Sequence, residues 1–320
     1  MGGFIAALTN KPEIFFITNL LAGGGKARKR WQIFVEEMKT KHFTINCHPT
    51  EYSGHAIELA KQALDEGKKR IAVFGGDGTL NEVLNGVIQD DRLVDPEIQI
   101  VFLGAGSSCD VEKMFPNRLP LADRVLSKNP YLVDVAKVIC RDESGRQINR
   151  YFLANSSVGV ISQSIVAFNR KTAIMSFLKR LNVDIAALFA GIRNVFQFGN
   201  FSADVTIDQT EHLSRSLKNL TVFKCAYFGG GMNYGVPSSF DDGKLHIALI
   251  NKMGRIKTLS YIPSLYTGSV LKKVNAEYHQ GYTVKLSGEN LTVAVETDGE
   301  IIGIPPCAYS ILPKLVYLVL

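Results

Sequence analysis

The sequence predicts two architectures in tandem: an N-terminal α/β domain on an open parallel sheet, then a domain of antiparallel β-strands. Three observations carry this. Around residues 13–18, 70–74 and 98–103, a short apolar run ends in a glycine-rich turn, as in the strand–turn–helix units from which parallel sheets are made. Beyond about Tyr131 the apolar runs become strand-like and are separated by Gly, Asp and Pro turns, the texture of antiparallel sheets. The chain has 320 residues, 46% hydrophobic and 21% charged, enough for two cores of ordinary globular composition.

Glu13 to Thr18 reads as the first strand, and Asn19-Leu20-Leu21-Ala22-Gly23-Gly24-Gly25-Lys26 as a turn opening a helix around Trp31 to Lys39. The turn is not a Walker loop, because Leu20 stands where its first glycine belongs and Ala27 where Ser or Thr follows the lysine. Its spacing fits a flexible connector and a nucleotide contact equally well. Phe43 to Cys47 alternates as a second strand, and Thr50 leads toward a helix with Ile57, Ala60 and Leu64 on one face. Thr50 is either a cap or a nucleotide ligand; His55 reads as a surface residue.

Arg70-Ile71-Ala72-Val73-Phe74 is a buried strand running into Gly75-Gly76-Asp77-Gly78-Thr79-Leu80-Asn81, after which Leu80, Val83, Leu84 and Val87 recur at helical spacing. A glycine turn at a helix start presents backbone N–H groups and the positive end of the helix dipole to an anion. Glycine also lets the backbone approach a phosphate closely. An acid in such a turn needs a cation or a proton, so Asp77 points to a metal-bound phosphate or to a hydroxyl that must be deprotonated. Ile98 to Leu103 forms a further strand, ending in Gly104-Ala105-Gly106-Ser107-Ser108-Cys109-Asp110.

In the second part, Tyr131–Ile139, Arg150–Val160, Ala203–Ile207, Leu220–Phe228, Leu245–Ile250, Tyr282–Leu286, Leu291–Glu296 and Ala308–Val319 are strand-like. Between them, Ile161 to Phe198 reads as helical, with a broad apolar face and Lys171, Lys179, Arg180 and Arg193 among it. Such a face docks on a membrane surface or, more commonly, packs on a core; the core-facing reading is the simpler one. Ser239-Phe240-Asp241-Asp242-Gly243-Lys244 is an acidic turn able to hold a hard cation, and locally also a plain Asp-Gly turn. Thr297-Asp298-Gly299-Glu300 is likewise an ordinary turn by local rules. Their company with Asp77 suggests phosphoryl transfer, which needs carboxylates for a divalent cation and one to direct a hydroxyl proton.

The net charge of +6 suits anionic partners such as a nucleotide or a membrane surface, without requiring nucleic acid. No run approaches a membrane span. The opening residues lack the basic start of a signal peptide, and Ala6 stands where a myristoylation signal wants Ser or Thr. Cys47, Cys109, Cys140, Cys225 and Cys307 are odd in number and scattered, as expected of reduced cysteines in a cytoplasmic protein.

From about Glu13 to the C-terminus the chain resembles the diacylglycerol kinase catalytic-domain family, which includes bacterial lipid kinases and the sphingosine and ceramide kinases. The resemblance rests on Asn19…Ala22-Gly23, Thr50 with Gly54-His55-Ala56, GGDGTLNEVLNG at 75–86, and Val133-Asp134-Val135. It continues through Asn155…Gly159, Gly229-Gly230-Gly231-Met232, Asp241-Asp242-Gly243-Lys244-Leu245 and Asp298-Gly299-Glu300. The ordered set is far more specific than GGDGT, which NAD kinases share and phosphofructokinases approximate.

The resemblance implies a three-layer α/β nucleotide-binding domain, NAD kinase/phosphofructokinase-like, over residues 1–134 and joined by the last strand, 308–320. Residues 135–307 would form a β-sandwich lipid-substrate domain. It implies ATP held by Asn19, Leu20, Leu21, Ala22, Gly23, Thr50, Gly75, Gly76, Asp77, Gly78, Thr79, Leu80, Asn81 and Ser107. A structural Mg²⁺ would sit on Asp242 and the carbonyls of Ser239 and Lys244. Glu300, Asp77 and Asp298 would form the catalytic set, with Glu300 and Asp77 competing as base. The expected activity is ATP- and Mg-dependent phosphorylation of a lipid alcohol such as diacylglycerol, in a cytoplasmic protein that touches the membrane transiently; a homodimer is an open oligomeric state. An NAD kinase-like enzyme with a soluble substrate, or a catalytically degenerate regulator, are the alternatives. Two departures from the family pattern matter: Leu20 replaces a proline, and in the family's Gly-Thr-x-Asn-Asp-Phe turn, here Gly106-Ser107-Ser108-Cys109-Asp110-Val111, Cys109 replaces an asparagine whose amide can donate and accept.

Overall fold

The structure, a computed structural model, describes residues 13–170, 172, 174–175, 183–289 and 291–320, without the side chains of 183–188. β1 (Ile14–Thr18) pairs in parallel with β2 (Cys47–Pro49) and with β3 (Arg70–Gly75). Past the small ladder of β4 (Ile88–Gln89) and β5 (Arg92–Leu93), β6 (Gln99–Gly104) pairs in parallel with β3. The near-continuous apolar runs of β1, β3 and β6 are buried on both faces, as parallel strands must be. Alternate residues point to opposite layers. Phe16, Phe74 and Leu103 meet Phe34 and Met38 of α1 (Lys26–Thr40). Phe15, Ile17, Ile71, Val73 and Phe102 meet α2 (His55–Asp65) and α3 (Asp77–Val87). Gly86 makes the α2–α3 contact close, since a Cβ there would lie 2.6 Å from that of Ala60. A short helix, α4 (Leu121–Leu126), joins α1 on its face.

The second part contains β7 (Tyr131–Arg141), β8 (Gln147–Phe152), β9 (Asn155–Gly159), β10 (Phe201–Ile207) and β11 (Glu211–Phe223). After them come the small ladder of β12 (Tyr227–Phe228) and β13 (Met232–Asn233), then β14 (Leu245–Asn251), β15 (Ala276–Gly281), β16 (Thr283–Ser287), β17 (Val295–Thr297) and β18 (Glu300–Val319). Antiparallel pairing runs β11–β10–β16–β18–β17–β9 and returns to β11, so the ladder closes on itself around Val158, Val205, Leu220, Val222, Leu286, Val295 and Tyr309. The pairs β7–β8 and β14–β15 extend it on either side.

β18 belongs to both halves. Its Cys307–Ser310 segment pairs with β16, whereas Tyr317–Val319 runs parallel to Gln99–Val101 of β6. One continuous sheet therefore passes through the molecule, and the predicted α/β plus antiparallel β architecture is present. Several element bounds differ. The second strand is Cys47–Pro49, after the predicted alternation. Arg150–Val160 is two strands interrupted at Leu153–Ala154. The helical stretch contains α5 (Val160–Asn169) and α6 (Val183–Gln197); Lys171, Lys179 and Arg180 lie outside the described residues. β15 and α7 (Arg255–Tyr266) lacked any sequence signal, α7 because it is weakly amphipathic and contains Pro263.

Candidate active site

Because β1, β3 and β6 are parallel, their three glycine turns meet at one sheet edge. Gly76 is extended, and α3 begins at Asp77. A Cβ on Gly106 would lie 2.6 Å from the Gly76 Cα, and one on Gly23 would lie 3.2 Å from the Ala105 carbonyl oxygen. Only residues without side chains let these backbones come so close. Asn19 spans two of the turns: its Nδ2 donates to Thr79 Oγ1 at 3.2 Å, and its Oδ1 accepts the Leu21 N–H at 3.1 Å. The Thr50 N–H donates to the Thr18 carbonyl at 2.8 Å. Leu21 and Ser107 are exposed at this edge, Leu20, Ala22 and Thr50 are half-buried, and Leu80 and Asn81 point into the protein.

Asp77 is engaged locally. Its Oδ2 accepts the Asp110 N–H at 2.9 Å and its Oδ1 the Val111 N–H at 3.2 Å, so it ties the first turn of α3 to the 104–111 turn. Burial, aided by the nearby Asp110 and Asp298 carboxylates, pushes its carboxyl up to about 7 in spite of these bonds. The departure at Cys109 acquires a physical meaning here. Its φ is 45°, a left-handed conformation that asparagine tolerates better than most residues. Burial and the Asp77 and Glu112 carboxylates push its thiol up to about 12, so it is a neutral group. Glu112 holds the same turn by accepting the Gly104 N–H at 3.2 Å and Arg124 Nη1 at 2.6 Å.

The antiparallel half supplies the opposite wall. Glu300, at the start of β18, has its Oε1 3.9 Å from where a Cβ on Gly78 would stand. Its Oε2 accepts Arg150 Nη2 at 2.8 Å. Burial raises the Glu300 pKa, the Arg150 charge opposes this, and Glu82 and Asp298 reinforce it. Asp298 is differently placed. Its Oδ2 accepts Asn81 Nδ2 at 2.8 Å and the Leu153 N–H at 3.4 Å; its Oδ1 accepts the Ala154 and Asn155 N–H groups at 3.2 and 3.0 Å. Four donors thus converge on its two oxygens. These bonds clamp the break between β8 and β9 to α3.

The turn expected to hold a metal is also arranged differently. Lys224 Nζ donates to Asp242 Oδ1, to Asp134 Oδ2 at 3.0 Å and to the Lys244 carbonyl at 3.0 Å. The other Asp242 oxygen lies 2.8 Å from His246 Nε2. Burial works against the Asp242 carboxylate, but the bonds from His246 and Lys224 outweigh it and hold its pKa well below the usual range. Ser239 Oγ bonds Asp241 at 2.6 Å. A divalent cation needs several free oxygens; here a side-chain cation already takes them, so Ser239, Asp242 and Lys244 do not fit a bound Mg²⁺ as arranged. Among the described residues no group of three or more His, Cys, Asp or Glu is placed to hold a metal ion.

Sequence reasoning missed Arg150, Glu82, Glu112, Lys113 and Lys224. Glu82 accepts the Gly54 and Ala56 N–H groups at 2.8 and 3.0 Å, fixing the loop after Thr50. Lys113 Nζ bonds Asp110 at 2.5 Å and the Gly230 carbonyl at 3.0 Å, joining the two halves. Arg150, Glu82 and Lys224 carry no local signal, since each acts on a segment distant in sequence. In the helical stretch, the described part of α6 has both buried and exposed apolar residues; Phe177, Leu178 and Leu181 and the side chains of Ile185 and Leu188 lie outside the described residues. Phe189, Ile192 and Phe196 on α6 are exposed, although Val195 and Asn194 beside them are buried. No helix among the described residues is long and apolar enough to cross a membrane.

A glycine-lined edge of the parallel sheet thus faces a half-buried Glu300–Arg150 pair carried by the antiparallel half. Residues 13–138 match the diacylglycerol kinase catalytic domain, and residues 161–320 match the YegS C-terminal NAD kinase beta sandwich-like domain. The chain belongs to this diacylglycerol kinase-like family. It is 24% identical over 275 residues to a protein of Staphylococcus carnosus named diacylglycerol kinase, covering 85% of this chain and 83% of that one. The fold is shared with a diacylglycerol kinase crystal structure from Bacillus anthracis (TM-score 0.67, 18% identity, 97% of each chain). It is also shared more distantly with yeast NADH kinase (TM-score 0.50, 11% identity, 97% of this chain and 84% of that one).

Proposed function

We propose that this protein transfers the γ-phosphate of ATP to a primary hydroxyl of diacylglycerol or a related lipid. The observation that supports this best is Glu300, whose Oε1 faces Gly78 at the start of α3 while Arg150 occupies its other oxygen. In this reading the N–H groups of the 19–23 and 75–79 turns and the α3 dipole hold the nucleotide phosphates, with Asn19, Thr50, Thr79 and Ser107 lining the edge. Glu300 Oε1 accepts the proton of the attacking hydroxyl. Burial raises its pKa toward the working pH, which suits a general base, and Arg150 keeps the carboxylate oriented. Asp77 acts by holding the 104–111 turn in place, because both of its oxygens already accept N–H bonds. Magnesium enters with the nucleotide, as part of the substrate.

The exposed Phe189, Ile192 and Phe196, with Arg193 between them, form an apolar and basic strip suited to an anionic lipid surface, from which the acceptor would be drawn. Full-length protein given Mg-ATP and a panel of lipid alcohols in mixed micelles yields a phospholipid from at least one of them. No phosphorylated lipid, together with phosphorylation of NAD, would replace this reading with a soluble-substrate kinase. Nucleotide binding without any product would leave a regulator.

A further inference from the structure

The Lys224 side chain is almost completely buried, and its Nζ meets three acceptors: Asp134 Oδ2, Asp242 Oδ1 and the Lys244 carbonyl. None of these atoms can donate, apart from a protonated carboxyl, so the nitrogen supplies three N–H bonds and is an ammonium. Backbone N–H groups share the remaining negative charge: Gly243 and Lys314 donate to Asp134 at 2.7 and 2.9 Å, and Lys244 donates to Asp242 at 3.0 Å. The carbonyl of Phe240 in turn accepts the Asp134 N–H at 2.7 Å. A hard divalent cation placed on these oxygens would need them at about 2.1–2.5 Å, in the volume the ammonium fills. The two are mutually exclusive.

We infer that the Lys224 ammonium is a built-in replacement for a structural divalent cation at the Asp242 turn, so that the fold of this chain is closed there without a metal. The inference goes beyond the proposed function and holds whatever the acceptor is. Four segments converge on the clasp: β7 through Asp134, the end of β11 through Lys224, the 239–244 turn, and the interruption of β18 at Lys314. Its position couples it to the active site. The Lys224 and Cys225 N–H groups both donate to the Ala154 carbonyl, at 2.8 and 3.0 Å, and the Ala154 N–H donates to Asp298. Cys225 Sγ donates to the Asp110 carbonyl at 3.2 Å. A cation that exchanges with solvent would make this connection depend on metal supply; a covalently attached one does not.

The test uses thermal unfolding and elemental analysis of the full-length protein without nucleotide, so phosphoryl transfer plays no part in the readout. Wild type should carry substoichiometric metal after dialysis, and its Tm should be the same in EDTA and in millimolar Mg²⁺ or Ca²⁺. Lys224→Ala and the milder Lys224→Met remove the ammonium and leave the buried Asp134 carboxylate and the partly exposed Asp242 carboxylate without the cation between them. Their Tm should fall by several degrees in EDTA, and Mg²⁺ or Ca²⁺ should restore most of the loss in Lys224→Ala, where space is opened. Stoichiometric metal in wild type, or a wild-type Tm that drops in EDTA, would overturn the inference even if neither variant folds. Folded Lys224→Ala with no divalent response would overturn it as well.

Discussion

Replacing Glu300 by glutamine separates chemistry from structure at this site. The substitution keeps the side-chain shape, and the carbonyl of the new amide can still accept the 2.8 Å bond from Arg150 Nη2. The atom facing Gly78 then becomes an amide nitrogen that cannot take a proton. Loss of a general base costs about 10²–10⁴-fold in rate, equivalent to about 3–5 kcal/mol in the barrier. Stability should respond in a different way. Burial raises the Glu300 pKa above the ordinary glutamate value, so its contribution to stability is present below the unfolded pKa and is lost as pH rises through the folded one. Glutamine removes that loss while weakening the Arg150 bond, and the two effects oppose each other. The assay is kcat against pH with a lipid acceptor, alongside Tm at each pH. Wild type should lose activity on the acid side as Glu300 is protonated; the variant should be slow throughout and lack that limb. A variant with kcat within about threefold of wild type, well short of the expected general-base loss, and with the same acid limb, would refute the assignment of Glu300.

Asp298→Asn should lower unfolding stability by about 2–4 kcal/mol, because the amide can accept from only some of the four donors now on the carboxylate and buried donors left unmade cost about 1–3 kcal/mol each; urea midpoints measure this. Gly106→Ala places a methyl 2.6 Å from the Gly76 Cα, which should cost about 1–3 kcal/mol and raise KM for ATP more than it lowers kcat. Glu296 is buried, has Oε1 without a partner and titrates near 7 because burial disfavours its charge. Its stabilising contribution is therefore complete below the unfolded value near 4.5 and is lost as pH rises through about 7. Glu296→Gln should be more stable than wild type at pH above 8 by at most about 3 kcal/mol, with the advantage gone at acid pH; an advantage independent of pH would contradict the burial argument.

The local sequence determined the parallel half most completely. Each of β1, β3 and β6 is an apolar run closed by a glycine turn, and burial on both faces demands no more than that pattern. The glycine-lined edge was legible for the same reason: GGDGT and the turns at 19–25 and 104–110 are each contiguous, and parallel pairing brings their ends together. The antiparallel half was legible as strands but not as a closed ladder, because closure depends on which strand pairs with which. β15 and α7 were invisible, being short of apolar periodicity and stabilised by neighbours.

Tertiary structure alone decided which partners the acidic residues meet. Asp298 and Glu300 are two positions apart in an ordinary-looking turn, yet four donors converge on one and a single arginine meets the other. Asp242 read as a metal ligand until Lys224, from a separate segment and bonded also to Asp134, met one of its oxygens and His246, four residues on, the other. The physical reason is common to all three. A carboxylate's role is set by the donors and charges within about 4 Å of it, and those donors come from segments the sequence does not place beside it.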